Sequence, residues 1–137
     1  MTTDMIRSIW EIAAIVCLRF PVPIRAWAIA VALTNLASLL FLGTLEGRVV
    51  LLALIIAISI MAMIHQRLGF VRLLGAGHVT WLVMLPWLLM RLPSAASNPA
   101  FHGWLVALLV LNSICLMVDT ADVIRFFRGE RDPHYRL

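Results

Sequence analysis

The sequence predicts an all-α integral membrane protein: a four-helix transmembrane bundle preceded by an amphipathic interfacial helix, with both termini cytoplasmic. Three observations predict it. The 137-residue chain is 63% hydrophobic and only 13% charged, with a mean hydropathy of +0.99, where a soluble domain averages roughly half apolar and a quarter charged. Its apolar residues gather into four stretches of about 20 residues or more, the length that crosses a hydrocarbon core of about 30 Å. Its basic residues are eleven arginines and no lysine, and they fall mostly where those stretches would meet one side.

A chain this short and this apolar has room for one membrane domain and little outside the bilayer. Its first helix is expected over residues 5–20. There Asp4, Arg7, Ser8 and Glu11 recur at i, i+3, i+4 and i+7, which puts the polar groups on one stripe. It would reach only about 24 Å, so it reads as lying in the interface or docked on the bundle, with a fifth span as the alternative. Pro21 and Pro23 end it, because the residue before a proline is pushed out of helical conformation. The same charges interrupt what would be the apolar region of a signal peptide, so residue 1 is expected in the mature protein.

Four spans follow. The first covers 24–42 and ends at Gly43; the second covers 48–67, with Gly69 placed as a C-terminal cap. The third covers 70–91, with Pro86 inside it and Pro93 beyond. The fourth covers 99–128, with Asn98 as N-cap, Pro99 in the first turn and Gly129 as its stop. At about 45 Å it exceeds the bilayer, so its end should stand in the cytoplasm, followed by a cytoplasmic tail over 129–137.

With four spans, Arg7, Arg19, Arg25, Arg67, Arg72, Arg125, Arg128, Arg131 and Arg136 share one side, and only Arg48 and Arg91 take the other. Cytoplasmic loops carry the excess of arginine, which orients both termini inward in what reads as a bacterial inner membrane. Arg19, Arg25, Arg67, Arg72, Arg125 and Arg128 make a basic belt on that face, suited to anionic lipid or an acidic partner surface and not to nucleic acid.

Small residues at Ala26, Ala30, Thr34 and Ser38, and again at Ala53 and Ala57, allow close helix approach. Asn35 and Asn112 are amides inside spans, where an unbonded polar group is costly; the amide of Asn35 is expected to bond another helix. Cys17 and Cys115 lie far apart without CxxC spacing and are expected to be small core residues rather than a disulfide.

Any chemistry concentrates toward the cytoplasmic side. His78 lies six residues from Arg72 and Asp119 six from Arg125, so both are about 9 Å deep at 1.5 Å per residue. His65 and Asp122 make a second pair at about 3 to 5 Å. Side chains lean toward the start of their own helix, which brings these four toward a common level. Two imidazoles and two carboxylates suit a divalent metal such as Zn, Mn or Fe, and equally a proton relay. Asp122 also has a plain partner in Arg125, three residues on. Haem fits less well, because His65 and His78 differ in depth by about 6 Å and His102 lies on the opposite side; copper on Met61, His65, Met84 and Met117 ranks lower still.

No HExxH, no histidine pair at i, i+4 and no internal repeat is present, so no enzymatic activity is assigned. Length and span count are similar to those of the small multidrug exporters and the fluoride channels. No glutamate lies within the four spans and no Asn/Phe pore pattern aligns, so no family is assigned. The leading expectation is a non-catalytic accessory, assembly or scaffold subunit that self-associates or packs on a larger membrane complex. The alternative is a small oligomeric channel or transporter that uses the His/Asp cluster for protons or a divalent ion.

Overall fold

A computed structural model describes residues 2–135; Arg136, counted above among the orienting arginines, lies outside the described residues. The protein is helical throughout, with the order α1 (Thr2–Arg19), α2 (Val22–Leu36) continued by a 3-10 turn (Ala37–Phe41), α3 (Leu45–Leu68), a 3-10 segment (Arg72–His78), α4 (Trp81–Arg91) continued by a 3-10 turn (Leu92–Ala95), and α5 (Pro99–Phe127). Three units are long and apolar enough to cross a membrane: Val22–Phe41, Leu45–Leu68 and Pro99–Phe127. A fourth is reached only if Arg72–His78 and Trp81–Ala95, bent by 42° at their junction, count as one span.

That bend departs from the continuous helix expected over 70–91. The break falls at Val79–Thr80 and not at Pro86, which sits inside α4. Its cause is packing. The segment Arg72–His78 is wedged between α3 and α5, and its glycines let it in: a Cβ on Gly75 would lie 2.9 Å from the Asp119 Cβ and 3.0 Å from its Cα, and one on Gly77 would lie 2.4 Å from the Met61 Cγ and 3.0 Å from the Ala57 carbonyl oxygen. No side chain fits at either place.

The ends of the long helices follow their capping residues. Asn98 accepts from the Phe101 N–H at 3.2 Å, and Gly69 closes α3 at φ +76°, a conformation glycine adopts without penalty. Thr44 caps α3 by accepting from the Gly47 N–H at 3.0 Å, so that helix starts three residues earlier than 48. The core is built from Val31, Val50, Trp81, Leu88, Leu105 and Leu108, with Phe41 stacked on Trp104 at 4.6 Å.

α1 has four charges in its 18 residues and is not among the helices apolar enough to span. It lies along α3, burying Ser8 and Ile15. Cys17, expected in the core, is exposed on it. The tail also differs from a free extension: the His134 N–H donates to the Phe70 carbonyl at 2.9 Å, and the Tyr135 ring packs 5.2 Å from Phe20 and 5.7 Å from Phe70. Three aromatic rings thus join the end of α1, the α3 exit and the tail.

Candidate functional site

The inward stripe of α5 changes character along its length. Phe101, Leu105, Leu108, Asn112, Cys115, Asp119, Asp122 and Phe126 are spaced alternately four and three residues apart, the spacing that keeps one seam facing its neighbours. From Asn112 to Asp122 that seam is polar. Each of its polar residues meets a particular partner.

Asn112 and Asn35 exchange two hydrogen bonds: the Asn35 amide donates to the Asn112 Oδ1 at 2.8 Å, and the Asn112 amide donates back at 3.0 Å. Both are buried. The Asn35 amide also donates to the Val31 carbonyl at 2.8 Å, whereas the Asn112 amide has no second side-chain bond among the described residues. Higher on the same helix the Trp104 indole N–H donates to the Thr34 carbonyl at 2.9 Å.

One to two turns beyond Asn112, at Cys115 and Asp119, lies the group with the most chemistry. The His78 Nδ1 and the Asp119 Oδ2 are 2.7 Å apart, with side chains 16% and 17% exposed. The Cys115 thiol donates to the same Oδ2 at 3.5 Å. The imidazole stacks on the Trp81 indole, centroids 4.0 Å apart, which fixes the ring. A neutral imidazole that donates from Nδ1 to a carboxylate keeps its Nε2 lone pair free. The Thr80 hydroxyl and the Trp81 indole N–H, buried within three residues of His78, have no hydrogen-bond partner among the described residues.

The four expected ligands do not form one cluster. His78 and Asp119 meet, but His65 turns to α1, its Nδ1 3.9 Å from the Glu11 Oε2, and its side chain is only 9% exposed rather than solvated. Asp122 is answered by Arg72, which reaches it from the 3-10 segment, and not by Arg125. Arg125 instead donates from Nε to the Glu130 Oε1 at 2.9 Å. The other Glu130 oxygen lies 2.9 Å from the Arg125 Nη2 and 3.0 Å from the Arg72 Nε. The reason is direction: the turn at Gly129 (φ +117°) brings Glu130 back onto Arg125, while the close approach at Gly75 leaves Arg72 beside Asp122. Elsewhere in the belt, Arg25 donates to the Phe20 carbonyl at 2.9 Å, and Arg19, Arg67 and Arg128 are exposed.

Hydrogen bonding from Arg125, then the charges of Arg125 and Arg72, hold the Glu130 carboxyl below its ordinary range. A carboxylate depressed in the folded state adds stability above its unfolded value, about 4.3 for glutamate, and loses it as pH falls through the lower folded value. Acidification through that lower value is therefore expected to loosen the tail first, read as loss of amide-exchange protection, relative to the intrinsic rate at each pH, over 130–135. In Glu130→Gln that protection should already be low at neutral pH and should not fall further in acid; a fall that persists in the variant would assign the effect to another group.

Two features escaped the sequence reading. Cys115 precedes Asp119 by four residues, the spacing of one helix face, and that was the available signal. Glu46 is buried at the first turn of α3 and pairs with Arg91, which lies over the Trp87 ring at 4.9 Å. Comparison with protein-family models, with curated proteins and with solved structures found no match to this chain.

Proposed function

We propose that this chain is a small inner-membrane protein with a non-catalytic role, an accessory or assembly subunit that packs through its spans on a second copy or on a larger membrane complex. The observation that carries this reading is an open, apolar groove of about 1040 Å3 between α4 and α5, walled by Leu82, Pro86 and Leu89 on one side and by Val110, Ile114, Met117 and Ala121 on the other. Lipid is as apolar as these side chains, so shape and close contact select what fills such a groove. Ser113 and Ala121 on its α5 wall are small enough to admit another helix. At mid-height Asn35 and Asn112 are 1% and 0% exposed and satisfy each other, which weighs against a conduit through one chain.

The orientation belongs to the same reading. The nine-to-two arginine asymmetry supports four spans with both termini in the cytoplasm, which places the His78–Asp119 pair toward the cytoplasmic face. Handling of protons or a divalent ion is the second reading, favoured by that half-buried pair.

The test is photo-crosslinking in native membranes. A photoreactive residue at Leu89 or Val110 is expected to give a crosslinked polypeptide, a second copy or a larger subunit. The same residue at Leu40, which is 81% exposed outside the groove, is expected to give lipid adducts. Lipid adducts alone at all three positions would remove the subunit reading.

A further inference from the structure

We propose that His78, Cys115 and Asp119 form a binding site for a divalent transition-metal ion of the zinc class, held by three protein ligands with a fourth position open. The proposal goes beyond the subunit reading and does not depend on it. One nitrogen, one sulfur and one oxygen donor from these residues lie within 4.8 Å of one another. Metal–ligand bonds of about 2.0 to 2.3 Å need such atoms only to close around a common centre.

The donor set selects the ion. Thiolate and imidazole suit zinc and its neighbours, and they suit magnesium or calcium poorly, because those prefer oxygen. Three protein ligands with one open place are the pattern of reactive or exchanging zinc sites, whereas structural sites are closed by four.

Charge is the second argument. A thiolate, a carboxylate and a neutral imidazole together carry two negative charges, so the complex with a divalent cation is neutral. A net ionic charge in apolar surroundings is heavily penalised, and this set avoids it. Binding balances as follows: the hydrated ion gives up bound waters and forms bonds to the His78 Nδ1, the Cys115 sulfur and an Asp119 oxygen, the thiol proton leaves to solvent, and the imidazole hydrogen moves from Nδ1 to Nε2 by exchange with water.

The surroundings keep these donors available. Arg72, the arginine on the same 3-10 segment as His78, is taken by Asp122 and Glu130. Asp119 is left with two side chains that are themselves metal ligands. Stacking on Trp81 holds the imidazole, and the bare Gly75 admits the 3-10 segment against Asp119. His65 and Asp122 belong to other pairs and are not ligands.

The experiment is a Co2+ titration of the purified full-length protein in detergent, with Zn2+ competition. The expected result is one cobalt per chain, with a thiolate-to-cobalt charge-transfer band that zinc abolishes. Cys115→Ser keeps the hydrogen bond to Asp119 and so should stay folded; it is expected to lose the band. His78→Ala and Asp119→Asn should weaken affinity by more than the roughly 10- to 100-fold that follows loss of outer supporting groups. Cys17→Ser and His65→Ala should leave the titration unchanged. Folded wild-type protein with no cobalt–thiolate band would overturn the site, as would a band that survives Cys115→Ser.

Discussion

Gly75→Val is expected to lower stability by about 3 kcal/mol, at the upper end of what overpacking costs, and to part Asp119 from His78. The added carbons have nowhere to go. A Cβ alone would stand 2.9 to 3.1 Å from the Asp119 Cβ, Cα and carbonyl oxygen, and none of these is the yielding end of a flexible side chain. Either α5 or the 3-10 segment has to move, and the 2.7 Å contact depends on both staying where they are. Thermal unfolding in detergent gives the stability, and the imidazole resonances of His78 report the lost contact. Gly103→Ala is the control: it lies within α5 with nothing inside 4 Å of its added Cβ, so it should gain about 0.5 to 1 kcal/mol from helix propensity alone. Equal and small effects at the two glycines would mean that the 3-10 segment does not pack on α5 as described.

The second large effect is expected at the buried amides, and it should be unequal. Asn35→Leu leaves the Asn112 amide without a side-chain partner, whereas Asn112→Leu leaves the Asn35 amide still bonded to the Val31 carbonyl. An unsatisfied buried polar group costs about 1 to 3 kcal/mol, while interhelical bonds measured within membranes average about 0.6 and reach about 1.7. With both interhelical bonds lost in either variant, Asn35→Leu, which orphans the Asn112 amide, should cost about 2 kcal/mol and Asn112→Leu about 1. The double variant should be more stable than Asn35→Leu, since removing both partners leaves neither orphaned. A double variant equal to the sum of the singles would deny that the two amides act on each other.

Much of this was legible because helices long and apolar enough to cross a membrane announce themselves by length and composition. Asn98 and Gly129 mark the ends of α5 in the sequence. Counting residues inward from Arg72 and Arg125 set His78 and Asp119 at one height, and at one height they touch. Height was readable; azimuth was not. Nothing in a single sequence says which way each helix turns, so Asp122 was paired with its neighbour Arg125 when Arg72 faces it, and His65 was turned toward Asp122 when Glu11 receives it. The broken span was hidden for another reason. Gly75, Ala76 and Gly77 read as small residues that admit a neighbour, and that is their role, but the resulting change to 3-10 pairing is set by the two helices that clamp them.

The polar seam of α5 has a mechanical meaning. Trp104, beside that seam, and Asn112 hold α2 through Thr34 and Asn35, and Asp119 and Asp122 hold the 3-10 segment through His78 and Arg72, each at its own height. A helix pinned at four heights on one side cannot spin about its own axis unless all four bonds break together. α5 is therefore a keyed shaft, its rotation set by four side chains rather than by any one of them.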